Sequence, residues 1–200
     1  MADVLPAARE ALLEAMDLAL RRLASAREAY DESSATARAE ADRAALAGIR
    51  RPIVLLDALP GSPIAGDVAP GVNTLGVMLP YTPLHELLFQ PSSFRLHPLV
   101  MTSGNFSEEP IAIDNQEALQ RLSVLADAFL LHDRPIHTRA DDSVARVLGG
   151  RAVLLRRSRG YVPRGITLPG EQPPVLAVGA ELKSTVCLTR GDQAFPSQHL

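Results

Sequence analysis

Thr102-Ser103-Gly104-Asn105 brings two hydroxyls, a side-chain amide and a glycine together within one short bend. Gly104 takes positive φ at little cost, and Asn105 tolerates it better than most side chains. Ser and Thr hydroxyls bond nearby backbone, so the four residues suit a tight turn. An apolar run, Leu99-Val100-Met101, precedes the bend, and Glu108-Glu109-Pro110 follows it. A strand that ends this way presents hydroxyls, an amide and unpaired backbone N–H groups to one concavity, which suits a phosphate or another oxyanion. The alternative is a strand-to-helix turn whose polar residues only cap. His85, His132 and His137 invite a metal reading, but His132 and His137 form only a loose pair around Asp133, and no His-x-x-x-His helix pair exists. Hydrogen-bonded structural or substrate-contacting histidines are expected instead. Cys187 lies in the apolar run Thr185 to Leu188 and reads as a buried structural thiol.

The elements that must position these groups follow from periodicity. Leu12, Leu13, Met16, Leu20 and Leu23 recur at helical spacing, predicting an amphipathic helix over Pro6–Tyr30. A second Ala-rich helical segment, Ser34–Ala47, ends at Gly48, either as half of a hairpin or as part of one long helix. From Arg51 the style changes to β. Pro52–Leu56 and Leu75–Leu79 read as strands separated by a Pro/Gly-rich loop, and Thr82 caps a short helix to Phe89. The run before the central bend reads as a strand, as does Ala128–Leu131. Between them Asp114 caps an amphipathic helix to Ala126, with Glu117 completing a capping-box pattern. Val144–Leu148 and Arg151–Arg157 flank Gly149-Gly150 as a hairpin. Thr167–Pro174 reads as a linker, Val175–Gly179 as a strand, and Ser184–Thr189 with Gln193–Ser197 as a hairpin across Arg190-Gly191-Asp192.

Composition bounds the function. A chain of 200 residues holds one large domain or one and a part, and an apolar fraction of 46% is ordinary for a globular protein. The net charge is only -3, with acids and bases interspersed, so neither a nucleic-acid partner nor a membrane surface is expected. The absence of Trp argues against a base-stacking surface. The single cysteine permits no internal disulfide and fits a reducing cytoplasm. Asp3, Arg9 and Glu10 interrupt the first residues, so no signal peptide is read there, and no run of about eighteen apolar residues predicts a membrane span.

Five blocks in fixed order are far more specific than any one of them: LPYTPLH from Leu79, MTSGNFSEEP from Met101, LLHDRPIHTRADDSV from Leu130, RRSRGYVPRG from Arg156 and VLAVGAELKSTVCL from Val175. Together they resemble the YrdC-like (Sua5-type) domain in the form found in the HypF-type carbamoyltransferases of hydrogenase maturation. The resemblance implies an α/β fold: a twisted YrdC/Sua5-like sheet with flanking helices, a helical N-terminal segment over 1–49, a partial YrdC-like domain over 50–168, and a β-hairpin tail over 174–200 that resembles the start of a Kae1-like domain. The long N-terminal region of that family, with its acylphosphatase domain, zinc-binding cysteine motifs and basic first half-domain, finds no counterpart among these residues. The chain thus resembles an internal piece of the family with a diverged helical start.

The activity implied is transfer of a carbamoyl group. Carbamoyl phosphate and ATP, with Mg2+, would form carbamoyl-AMP, and the carbamoyl group would pass to the C-terminal cysteine of a HypE-type partner. Threonylcarbamoyl-AMP synthesis for tRNA modification and a non-catalytic fragment are the alternatives. Nucleotidyl transfer is positioning plus neutralisation of phosphate charge, so it needs Arg, hydroxyls and backbone N–H groups. On the resemblance, Ser103 and Asn105 match the family's phosphate-contacting Ser-x-Asn motif. The resemblance likewise implies nucleotide contacts for Arg139, Ser143, Arg157 and Arg159, with a phosphate role for at least one of the last two, and Lys183 as a possible phosphate contact of the second domain. Against these stand a turn-stabilising pair, a strand-start hydroxyl, a solvated hairpin end and an exposed Lys. Ala140 replaces a cysteine common in the family. The family's metal-binding histidines lie in the portion absent from these residues, and no catalytic residue is singled out.

Overall fold

The computed structural model of the chain describes residues 34–89, 98–180 and 184–199. The helix read over Pro6–Tyr30, most of the Gln90–Pro98 loop and Lys183 lie outside them. The first described element, helix α1, occupies 34–47. Alanines favour it, and Gly48 closes it by donating its N–H to the Ala44 carbonyl at 3.0 Å. An ion pair at 2.8 Å from Arg38 Nη2 to Asp57 Oδ2 ties the helix to the end of the first strand.

That strand, β1 (Ile53–Asp57), is central in a four-stranded sheet of order β2-β1-β3-β4, with β2 at Thr74–Val77, β3 at Val144–Leu148 and β4 at Arg151–Arg156. β1 pairs antiparallel with β2 and parallel with β3, and β3 turns back antiparallel into β4. Gly149 and Gly150, at φ 55° and 73°, supply the two positive-φ positions that a two-residue hairpin turn requires. In register, Val54 lies beside Ala145. These two and Val147 are the buried apolar centre, with Pro52, Ser143 and Ser158 sealed beside them. The parallel β1–β3 pair is thus the best-protected part of the described fold. Helices α2 (Pro83–Leu88) and α3 (Asn115–Leu122) form where predicted, the first capped by Thr82 and the second by Asp114.

The structure departs from the sequence reading at five places. Leu99-Val100-Met101 and Ala128–Leu131 are not strands. Both neighbours of β1 are already occupied, the two runs have no ladder partner among the described residues, and Val100 and Leu130 stand 75% and 71% exposed. α3 stops at Leu122, four residues before the predicted end, and leaves Val124 and Leu125 exposed. The expected linker forms a strand instead, β5 (Ile166–Gln172). The expected C-terminal hairpin is one continuous strand, β7 (Thr185–Pro196), in a three-stranded sheet of order β5-β7-β6, where β6 is Leu176–Gly179. Both differences have one cause. The first part of β7 pairs with β6, and the part beyond Arg190 finds a second partner in β5. Gly191, at φ 61°, takes up the irregularity opposite Gln172 rather than reversing the chain. β5 lies at the edge, where a proline such as Pro169 costs no ladder bond.

One glycine is demanded by close approach. Gly160 has φ 85°, and a Cβ there would meet the Arg50 carbonyl oxygen at 2.6 Å. Gly160→Ala combines left-handed strain with a backbone clash. It should lower unfolding free energy by roughly 2 kcal/mol or more, read as a shifted urea midpoint, whereas Gly61→Ala, with open space around it, should cost less.

Candidate functional site

Arg157, Ser158 and Arg159 follow β4 directly, so the hairpin delivers them to the start of β1. Arg159 is held on every side. Its Nε donates to Asp142 Oδ1 at 2.6 Å, Nη1 to the Arg50 carbonyl at 3.2 Å, and Nη2 to the Arg51 carbonyl at 2.6 Å. The guanidinium lies over the Tyr81 ring, 3.4 Å from its centroid, in the geometry of a cation–π contact. Its backbone N–H donates to the Asp141 carbonyl. Tyr81 in turn meets His85 edge to face at 4.7 Å. Beneath this cluster the Ser143 hydroxyl, fully buried, donates to the Arg159 carbonyl at 2.9 Å and accepts from the Ser158 N–H at 2.8 Å. Arg157 is also turned inward, donating to the Tyr161 and Arg164 carbonyls at 3.0 and 2.9 Å. Burial, and then the neighbouring Arg50 charge, push its guanidinium below the usual range.

The central bend has different surroundings. Asn105 donates its side-chain amide to the Phe106 and Glu109 carbonyls at 2.7 and 3.0 Å, so this amide holds the bend itself. Its Oδ1 is buried and has no partner among the described residues. Ser103 and Gly104 are exposed. The Gly104 carbonyl accepts from Ala112 N–H at 3.0 Å, and the adjacent Ile111 carbonyl accepts from Arg139 Nε at 2.6 Å. Arg139 is exposed, and its terminal nitrogens make no hydrogen bond or ion pair among the described residues. Arg121, by contrast, is engaged by Glu109 and Glu117.

The residues singled out in the sequence therefore divide into two groups. Ser103, Asn105 and Arg139 gather where the bend meets the 138–142 loop. Ser143, Arg157 and Arg159 belong to the hairpin end, where the Ser143 hydroxyl, both Arg157 Nη atoms and all three Arg159 nitrogens are engaged within the chain; the buried Ser143 hydroxyl is not presented to solvent as a ligand contact. Cys187, expected to be buried, is half-buried on β7 beside Ala177. His132 uses its backbone carbonyl to accept from Asn115 and borders an open groove of about 360 Å³ with Arg134. A second groove of about 440 Å³ runs from α1 to Tyr161 and Arg164, away from the bend residues. No cluster of three or more His, Cys, Asp or Glu suited to a metal ion occurs among the described residues. Nor does any helix there reach the length and apolarity needed to cross a membrane. Sequence reading missed the parts of Tyr81 and Asp142. The only signal was their presence in the LPYTPLH and DDSV blocks, since nothing in periodicity brings them to Arg159.

These features define an α/β chain whose sequence matches the Sua5/YciO/YrdC family model, described as "Telomere recombination", over residues 14–158, and it belongs to that family. The match begins inside the helical segment read over 1–49. A second family model, the HypF Kae1-like domain, matches residues 170–200. Carbamoyltransferase HypF2 of Cupriavidus necator is 51% identical over 175 residues, 80% of this chain and 22% of the relative. Carbamoyltransferase HypF of Rhizobium leguminosarum bv. viciae is 46% identical over 165 residues, again 80% and 22% of the two chains. A crystal structure of full-length HypF in the phosphate- and nucleotide-bound form superposes with a TM-score of 0.70 at 48% identity, covering 78% of this chain and 24% of that one. The chain thus spans about a fifth of the length of the curated relatives it matches. The YrdC-like fold expected from the five blocks is the fold found.

Two measurements test the buried cluster. Ser143→Ala strands the Ser158 N–H in a dry site and should cost about 1–3 kcal/mol in urea unfolding. Unchanged stability would leave that hydroxyl free for a ligand. Burial pushes the Tyr81 phenol above its ordinary value near 10; the Asp142 charge pushes the same way, and Arg159 pulls it back. A raised folded value favours the neutral ring, so this stabilisation is complete below about pH 10 and is lost as pH rises through the folded value. Tyr81→Phe should therefore lose less stability than the parent as pH rises above about 10.

Proposed function

We propose that this chain is the nucleotide-handling part of a HypF-type carbamoyltransferase. The observation that carries the reading is 48% identity, over 78% of the chain, to a HypF solved with phosphate and nucleotide bound. In this reading ATP, as its Mg2+ complex, and carbamoyl phosphate are substrates. Water hydrolyses carbamoyl phosphate to carbamate and inorganic phosphate; a carbamate oxygen then bonds to the α-phosphorus of ATP, pyrophosphate leaves with the electron pair of the broken P–O bond, and carbamoyl-AMP results. In the cytoplasm the C-terminal cysteine thiolate of a HypE-type partner then bonds to the carbamoyl carbon, and AMP leaves with the electron pair of the broken C–O bond. Residues 50–168 act as a partial YrdC-like domain, 1–49 as a helical lead-in and 174–200 as the opening of a Kae1-like domain. Lys183 is assigned a phosphate contact there.

The geometry supports specific parts for the residues. The Ser103 hydroxyl and the Gly104 backbone N–H meet phosphate oxygens, while the Asn105 N–H holds the bend on the Ser103 carbonyl; phosphate gains most from fixed dipoles in place before the charge arrives. Arg139 offers the terminal nitrogens of a guanidinium anchored through Nε, a planar fork matched to two oxygens. Asn105 keeps the bend in shape. Arg157, Arg159 and Ser143 hold the hairpin end against the start of β1 and act on the nucleotide through that frame.

Isothermal titration of ATP into the chain tests this. The parent should bind, Arg139→Ala should bind about tenfold more weakly, the loss of one charged hydrogen bond of about 1.5 kcal/mol, and Asn105→Ala should abolish binding. Pyrophosphate release that depends on carbamoyl phosphate supports the assignment. Release that depends on threonine and bicarbonate would move the chain to threonylcarbamoyl-AMP synthesis, and silence with ATP would mark it as a non-catalytic piece.

A further inference from the structure

β7 does not end loosely. Ser197 folds back on Val186, donating its N–H to the Val186 carbonyl at 2.7 Å and accepting from the Val186 N–H at 2.9 Å. This fixed exit lays Gln198 and His199 on the loop between Thr138 and Asp142. Gln198 Nε2 donates to Thr138 Oγ1 at 2.9 Å and to the Arg139 carbonyl at 2.6 Å. His199 Nδ1 meets Asp141 Oδ2 at 2.8 Å, with the two side chains only 17% and 13% exposed. A carboxylate accepts, so this ring nitrogen carries the proton. Asp141 also faces Arg156 Nη1 at 3.9 Å. Arg139 is thus held from both flanks by residues that directly follow the long strand of the other sheet.

We propose that Gln198 and His199 are positioning residues. They fix the 138–142 loop so that the Arg139 guanidinium stays on the Ile111 carbonyl beside the Ser103–Asn105 bend, and they thereby couple the three-stranded sheet to nucleotide affinity. This rests on the reading of the bend and Arg139 as a phosphate site. An exposed arginine held by one hydrogen bond keeps most of its rotamer freedom, and binding must remove it. A loop already clamped by three hydrogen bonds leaves less to remove.

The test combines ATP titration of the 200-residue chain with amide hydrogen exchange in the absence of nucleotide. His199→Ala should weaken ATP binding about fivefold and speed exchange over residues 138–142, while β1 and β3 keep their protection. His199→Asn, whose Nδ2 can donate from the position of the ring Nδ1, should recover affinity to within about twofold. In an Arg139→Ala background, His199→Ala should add nothing, because its effect runs through that side chain. A parent that binds ATP and a His199→Ala variant that binds equally well would overturn the inference and leave the proposed function standing. An additive loss in the double variant would overturn it as well, reducing His199 to general stability. A parent that fails to bind ATP would sink the proposed function and, with it, the coupling to nucleotide; unchanged exchange over 138–142 in His199→Ala would remove the clamp too.

Discussion

The guanidinium of Arg159 is the joint of this fold. β1 and β3 run parallel, so no tight turn can connect them, and the chain must close the gap through groups distant in sequence. Arg159 does this with all three of its nitrogens and its face: its fork reaches back to the carbonyls of Arg50 and Arg51 just before β1, its Nε to Asp142 just before β3, and its face to Tyr81 just before α2. Three chain segments meet on one rigid planar cation. Lysine could neutralise Asp142 but could not present several donors in one plane and stack at the same time. Ser143 and Ser158 repeat the pattern one layer deeper, where a single buried hydroxyl satisfies two backbone groups.

This joint decides which cations remain for chemistry. A guanidinium whose donors are spent on carbonyls and a carboxylate has little left for a phosphate, and freeing it would expose those carbonyls unpaired. Arg157 and Arg159 are in that position, and Arg121 is neutralised by two glutamates. Arg139 is not, and it is anchored to the same loop ladder that carries the bend. The phosphate site proposed for this chain is therefore the bend with Arg139, and the hairpin arginines serve as its frame. The family likeness supports a nucleotide-handling role, and the hydrogen-bond pattern supports this division among residues that look alike in sequence.

Local signals were legible in the sequence. The Thr82 and Asp114 caps, the Gly-Gly hairpin and the helix stop at Gly48 each follow from a few adjacent residues, and each forms as read. Partner choice was not legible. Leu99–Met101 has the composition of a strand, but composition does not say whether a neighbouring strand has a free edge. Arg190-Gly191-Asp192 has the residues of a turn, and it lost to a second ladder because β5, read as a linker, pairs with β7. The site shows the same limit. Arg139 and Arg159 are indistinguishable as sequence, since the difference lies in partners the chain brings from afar: Arg159 engages Nη1 and Nη2 on carbonyls about a hundred residues away, whereas Arg139 engages only its Nε, on the Ile111 carbonyl. Tyr81 and His199 acquire their parts only through contacts that cross the chain.

The division between anchoring and phosphate-facing arginines is tested most directly by following arginine Nε–H resonances during ATP titration. The account predicts that the Arg139 Nε signal moves with added nucleotide while that of Arg159 stays in place and remains protected from exchange. Movement of the Arg159 signal with Arg139 unmoved would contradict it and return the phosphate site to the hairpin end.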